Sequence, residues 1–248
     1  MVNVTAYPCA GKRKSFEICL AFVRGCGGQI GTTLRDGAAA FYGVDESNVD
    51  VWRAVRARGS DYYYIDNSYF DSARQQHFRV TKNRLQHPGI GVSDGSRFRA
   101  LGISLAPWRA GGAHIVVCPQ SNAFMRTAAG YDGDWTQKTL ARLKAQTTRE
   151  IRVREWSANK GALAATLQQD LAGAHALVTW SSAAAVSAVV SGVPVIVEAN
   201  DCAARFMGGT DIEALPTPER ENWVGTLADN EWSLDEMSKG KAWLKLQK

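Results

Sequence analysis

Residues 173–197 constrain this chain more than any other stretch. Ala176-Leu177-Val178-Thr179 is an apolar run that stops at Trp180-Ser181-Ser182; a string of small residues follows from Ser182 to Ser191, and an apolar run restarts at Gly192-Val193-Pro194-Val195-Ile196-Val197. A strand without polar alternation must be covered on both faces, which is the situation of a parallel sheet. Parallel neighbours need a crossover, and alanines and serines let a crossover helix lie close to the sheet. The segment is therefore predicted as strand 176–179, helix 182–191 and strand 193–197.

The pattern extends backwards. A strand over Ile115–Cys118, a loop over Gln120–Asp134, a helix over Thr136–Gln146 with Leu140 and Leu143 three apart, a strand over Glu150–Arg154 and a helix over Lys160–Leu171 complete three successive β-α units, the signature of a doubly wound sheet. In the first half, Phe16–Val23 is a compact apolar run that ends in Arg24-Gly25-Cys26-Gly27-Gly28, and is predicted as a buried strand followed by a glycine-rich turn. Ala38–Val44 is a second strand. Val49–Arg56 has helical spacing with Ser47 or Asn48 as N-cap, and Asp61–Asn67 is an aromatic, β-prone run. His87–Ser96 and Pro107–Gly112 break the pattern, which puts a lobe boundary near residue 110. The tryptophans of Trp232–Leu244 belong to an amphipathic helix that needs a surface to cover it. The expected organisation is an α/β protein of two Rossmann-like lobes facing a cleft: residues 1–110, residues 111–230, and a C-terminal helix, 231–248, crossing back to the first lobe.

Composition narrows the class. The chain has 248 residues, 45% of them hydrophobic, enough for one large core or two smaller ones. No stretch approaches the roughly 18–20 apolar residues of a membrane span, and the first residues do not resemble a signal peptide, so a cytoplasmic protein is expected. Five cysteines without a Cys-x-x-Cys pair point to reduced, buried thiols. His77, His87, His114 and His175 are scattered, and no metal site is expected. Charge is uneven: residues 1–110 carry 15 Lys/Arg against 9 Asp/Glu, and residues 111–248 carry 14 against 15. Arg74, Arg79, Lys82, Arg84, Arg97, Arg99 and Arg109 face one acid, Asp94, a balance that attracts polyanions.

Two hydroxyls at the carboxyl end of a parallel strand sit beside the amides of the next helix, where the helix dipole favours a phosphate. Ser181 and Ser182 are therefore candidate phosphate contacts. The strand, the Thr-x-Ser-Ser turn, the small-residue helix and the Gly-x-Pro restart together resemble the carboxyl-terminal lobe of GT-B glycosyltransferases, above all the capsular-polysaccharide and sialyltransferase-like branches. Ile115–Ser121 resembles the strand and loop that open that lobe, and Ile151–Arg154 resembles a strand ending in a basic residue near the donor. The resemblance covers residues 112–200. It implies a nucleotide-sugar donor held by Gln120, Ser121, Arg154, Ser181 and Ser182, with no further cofactor. The Glu-x-x-x-x-x-x-x-Glu pattern of the retaining branches is missing.

An inverting transfer needs a base for the acceptor hydroxyl, and Asp66, at the end of a predicted strand in the first lobe, is the candidate. Its alternative is a local turn with Asn67. Gly27 and Gly28, which would let a ligand approach the backbone, and the basic Arg79, Lys82 and Arg84 are the candidate acceptor contacts. Tyr64–Phe70 and His77–Asn83 resemble segments of bacteriophage proteins, which suggests DNA with hydroxymethylated pyrimidines as the anionic acceptor. Two rival classes stand beside this one. Phe78, Phe98 and Trp108 among the arginines would suit a non-enzymatic nucleic-acid binder. Gly25-Cys26-Gly27 with Gly31, and Asp45 further on, approximates a dinucleotide loop of an oxidoreductase, although Ile30 breaks the glycine spacing.

Overall fold

The computed structural model describes residues 3–70, 76–127, 129–131, 133–155 and 165–247. The first elements are β1 (Val4–Ala6), α1 (Arg13–Cys26), β2 (Gln29–Ile30), β3 (Ala38–Tyr42), α2 (Val49–Ala57), β4 (Tyr62–Asn67), β5 (His77–Lys82) and α3 (Ser96–Ala100). Next come β6 (His114–Cys118), α4 (Asn122–Thr127), α5 (Trp135–Gln146), β7 (Glu150–Val153), α6 (Leu167–Leu171), β8 (Ala174–Thr179), α7 (Ala184–Val190) and β9 (Val195–Val197). The chain ends with α8 (Glu221–Ala228), β10 (Glu231–Ser233), α9 (Leu234–Ser238) and α10 (Lys241–Leu246). The described residues gather into two compact units, the first from 1–87, 126–130 and 230–248, the second from 88–125 and 131–229. Residues 88–110, assigned to the first lobe on sequence, thus group with the second. None of the described helices is long and apolar enough to cross a membrane.

The first unit is built on a six-stranded sheet, ordered β10-β5-β4-β3-β1-β2. β1 to β4 run parallel, while β5 and β10 are antiparallel to their neighbours. Side chains alternate between its two faces. Ala38, Ala40, Tyr63 and Ile65 join the core formed with Ile18, Cys19, Phe22 and Val23 of α1 and with Met237 and Ala242 of the C-terminal helices. Phe41, Tyr62 and Tyr64 turn the other way and surround Trp52 of α2 at ring separations of 5.2, 5.0 and 5.8 Å. Trp52 is 1% exposed, so its burial contributes about 3 kcal/mol or more.

Several expectations change here. The strand expected at Phe16–Val23 is the middle of α1: Ser15, Ile18, Cys19 and Phe22 are buried at helical spacing while Phe16 is 46% exposed. An apolar residue on the outer face made the run look continuous. Gly25, Cys26 and Gly27 therefore end a helix and lead into β2, whereas a dinucleotide loop leaves a strand and opens a helix. The C-terminal amphipathic helix is a strand and two short helices broken at Gly240, with Trp232 paired opposite Phe78 and the Trp243 ring tilted against Tyr63 at 5.2 Å. Asn48 does precede α2, but its amide donates to Tyr7 O and its side-chain oxygen accepts from Asp45 N, so it ties loops together and does not cap the helix.

The second unit holds an all-parallel sheet ordered β7-β6-β8-β9. β8 is buried at every residue, as its composition demands. Ile115, Val117, Ala176, Val178 and Ile196 pack with Trp135 and Leu143 of α5 on one face, and Val116, Leu177 and Val195 occupy the other. The register slips beside His114, where His175 is the extra residue of a bulge; the two histidines bond Asp170 O and Ile212 O, which is structural work. Gly192 explains the Gly-x-Pro restart: its φ is +74°, and a Cβ there would lie 2.0 Å from Pro107 O. The loop expected over 120–134 contains α4, and of the helix expected over 160–171 only Leu167–Leu171 is helical among the described residues, residues 160–164 lying outside them.

Gly25 marks the closest approach between α1 and the C-terminal helices, since a Cβ there would stand 2.0 Å from Met237 O. Gly25→Ala is expected to destabilise the protein by about 1–3 kcal/mol by forcing the elements apart, despite the higher helix propensity of alanine. A thermal melt followed by circular dichroism checks this; an unchanged or raised Tm would show that the contact yields freely.

Candidate functional site

In a parallel sheet the loops that leave the carboxyl ends of the strands share one edge, and ligands collect where the strand order reverses. In the second unit that reversal falls between β6 and β8, because the chain goes from β6 outward to β7 and then crosses to β8 on the other side. Pro119-Gln120-Ser121 leaves β6 and Trp180-Ser181-Ser182 leaves β8, so four of the five expected donor contacts flank the reversal. Arg154 leaves β7 on the same edge, its amide bonding Val117 O at 2.9 Å.

The local bonds define what each group offers. Thr179 Oγ1 donates to Cys118 O at 2.6 Å and locks the ends of β6 and β8 together. Ser182 N donates to Thr179 Oγ1, and Ser182 Oγ accepts from Ala184 N. Ala185 N and Val186 N bond Ser182 O and Ala183 O. The amides expected to be open at the start of α7 are thus largely satisfied within the turn, and what remains at Ser182 is the hydroxyl proton. Ser181 is 2% exposed, and Ser121 Oγ accepts from Phe124 N at the start of α4. Arg154 is bound to the Asp170 carboxylate and to Ala165 O, so its guanidinium enters the site already paired. The Oε1 of Gln120 is buried and has no hydrogen-bond partner among the described residues.

Two groups at this edge escaped sequence reasoning. Glu198 follows β9 and accepts from Trp135 Nε1 and Arg142, both at 2.6 Å. Trp180 packs against Tyr131 in a tilted ring pair with centroids 4.9 Å apart. Nothing in the spacing of these residues announces them, since each contact joins residues far apart in sequence.

The first unit divides the remaining candidates. Asp66 lies at the carboxyl end of β4, where one oxygen accepts from Asn67 N at 2.7 Å and the other binds Arg79. Arg79 is 4% exposed, also donates to Asn67 O at 2.7 Å, and stacks over Tyr69 at 4.3 Å. It is a buried partner of Asp66 and not a surface contact for an acceptor. Beside it, Glu231 is 3% exposed and accepts from Ser68 Oγ and from Tyr69 N; burial pushes its carboxyl up, against the pull of these two donors and of Arg79. Burial likewise raises the Tyr42 hydroxyl, which donates to Asn67 Oδ1 at 2.8 Å. Gly27, Gly28 and Lys82 lie at the opposite edge: Lys82 pairs with Tyr63 across the ladder and with Asp61 at 2.8 Å. Gly27 caps α1 at φ +70°, and Gly28 presses against Val4 O at the amino end of β1. Tyr63 and Asp66 are separated by about 10 Å of strand, so the expected acceptor set is not one cluster. Arg84 is exposed beyond β5. Phe78 and Phe98 are 2% and 7% exposed, and Trp108 lies beneath Arg220 at 4.2 Å while donating to Pro218 O, so the aromatics expected to stack on nucleic acid are packing residues. Among the described residues no group of His, Cys, Asp and Glu is arranged to hold a metal.

Neither a protein-family model nor a curated protein matches the chain. Solved structures do. The beta Kdo 2,7 transferase of Thermosulfurimonas dismutans KpsC superposes with a TM-score of 0.55 at 12% identity, over 98% of this chain and 99% of that one. The beta Kdo 2,4 transferase of the same KpsC gives 0.53 at 13% identity, over 94% and 92%. At these identities the likeness is one of fold: this α/β chain shares the fold of two glycosyltransferases along nearly its whole length.

Replacing Asp66 by Asn strips a buried guanidinium of its charged partner. The expected loss is about 2 kcal/mol, less than the roughly 3–5 of a fully buried pair because the Asp66 side chain is 35% exposed. Urea unfolding measures it, and a stability equal to the parent's would mean that Asn67 O and Tyr69 suffice for Arg79.

Proposed function

We propose that this protein is a glycosyltransferase that moves a sugar from a nucleotide-sugar donor to a hydroxyl of an anionic acceptor. The observation that carries the proposal is Gln120: an amide oxygen that is buried and without a partner among the described residues, in the loop that leaves β6 at the reversal point of an all-parallel sheet, where Trp180-Ser181-Ser182 leaves β8. An unmet buried acceptor costs free energy, and a ligand hydroxyl or amino group would satisfy it. The shared fold with two Kdo transferases supports the same reading.

In this reading the donor's phosphates meet the hydroxyl protons of Ser182 and Ser121 and the Arg154 side of the edge, with Asp170 holding Arg154 in place. The leaving diphosphate gains charge as the glycosidic bond breaks, and prearranged donors favour that state. Asp66 remains the proposed base. One of its oxygens accepts from Asn67 N and the other binds Arg79, and a carboxylate with two engaged oxygens still has lone pairs for an acceptor hydroxyl. The acceptor is proposed only as an anionic, hydroxyl-bearing molecule. DNA with hydroxymethylated pyrimidines, suggested by the charge asymmetry and the bacteriophage resemblance, is one such acceptor; the non-enzymatic binder is less favoured, because Phe78 and Phe98 are buried and Trp108 packs under Arg220.

A thermal-shift series with UDP, GDP, CMP, ADP, NAD and NADP tests the proposal, since a ligand that binds only the folded state raises its Tm. One nucleoside mono- or diphosphate is expected to stabilise the protein by several degrees, and Gln120→Ala or the Ser181→Ala/Ser182→Ala pair to abolish the shift. Stabilisation by NAD or NADP alone would overturn the proposal in favour of a dehydrogenase. Silence from all six, with salt-sensitive DNA binding, would overturn it in favour of a binder.

A further inference from the structure

The first unit has a reversal point of its own. Its chain goes from β1 outward to β2 and then crosses back to β3 on the other side of β1. At the carboxyl ends of these strands lies a cavity of about 560 Å³, lined by residues of the β1–α1 loop, the end of β2 and the start of α2. That volume falls within the roughly 300–1,000 Å³ of small-molecule sites. None of the residues assigned above to donor or acceptor belongs to it.

Its lining is two-sided. Tyr7, Pro8, Phe16, Ile30 and Val51 give it an apolar body, and Phe16 stands 46% exposed in a helix whose other apolar residues are covered. Its rim is the start of α1, a helix of 14 residues with no side-chain cap and no acid in its first turn. The first amides of such a helix point outward, at the positive end of its dipole. Lys12 is held by Asp45 at 2.6 Å, whereas Arg13 is 91% exposed and meets Glu17 only on the surface, a pairing that water largely screens. Burial would raise the Asp45 carboxyl, but Lys12 and Ser47 outweigh it and hold it down, so Lys12 stays engaged and Arg13 is the exposed cation of the rim.

We infer that this cavity binds a small anion with an apolar body, a carboxylate, sulfonate or phosphate carried on a ring or short chain, with its body between Ile30 and Val51 and its charge at the start of α1. The inference does not depend on the transferase reading. Its probes are 8-anilinonaphthalene-1-sulfonate and the uncharged N-phenyl-1-naphthylamine, which shares the rings and lacks the sulfonate. Titration followed by fluorescence should show one saturable site for the sulfonate, at least about tenfold weaker for the uncharged probe. Thr32→Trp, a substitution at an exposed position on the lining, should abolish binding, and Val51→Trp should do the same from the far wall. Arg13→Gln should weaken the sulfonate about three- to tenfold and leave the uncharged probe unchanged. The Ser181→Ala/Ser182→Ala pair should bind the sulfonate as the parent does. Binding that survives both tryptophans, that falls with the two serines, or that is equal for the two probes would overturn the inference. Circular dichroism melts of each variant separate a filled cavity from a damaged fold.

Discussion

The constraint on which everything else rests is parallel pairing. Parallel strands cannot be joined by tight turns, so every return must cross over, and all loops of one kind then leave from one edge of the sheet. In the second unit the pairing of β6 with β8, tied at its end by the Thr179 hydroxyl on Cys118 O, makes the loops that carry Gln120 and Ser181 leave from neighbouring strand ends. A polar side chain at such an edge lies at the end of strands that are themselves buried, and the Gln120 oxygen there is covered and unmatched among the described residues.

The same constraint works twice in this chain with different results. In the second unit the reversal point is lined by polar side chains: an amide, hydroxyls, and an arginine held by an aspartate. In the first unit it is an apolar hollow with a cationic rim. The contrast follows from the loops, since Trp180-Ser181-Ser182 turns tightly into α7 and uses up its amides, while the loop from Tyr7 to Lys12 is longer and leaves the start of α1 uncapped.

Buried charge sets the limits on function in the first unit. Asp66, Arg79, Glu231 and Ser68 form one network under Tyr69. Two of its members, Asp66 and Arg79, were separate candidates on sequence, a base and a surface cation. Together they are first a means of joining β4, β5 and β10, and any chemistry at Asp66 has to be done by a group that also holds the sheet together. The basic excess of this half of the chain is tempered in the same way, by Asp61 on Lys82 and by Asp45 on Lys12.

The sequence alone determined the parallel architecture of the second unit, because apolar runs such as Ala176–Thr179 have no exposed face to offer and small residues must follow them. It also put Ser181 and Ser182 at the end of a parallel strand, since strand ends dictate loop positions, whereas Gln120, Ser121 and Arg154 came from the family resemblance. It misled at Phe16–Val23, where an apolar run with Phe16 on the open side looks the same in one dimension whether strand or helix. Only the tertiary structure decided which cations were free. Whether Arg79 faces water or Asp66, and whether Gly28 lies near Asp66 or at the other end of the sheet, depends on register and strand order. Those are set by contacts between distant residues, which no local pattern records.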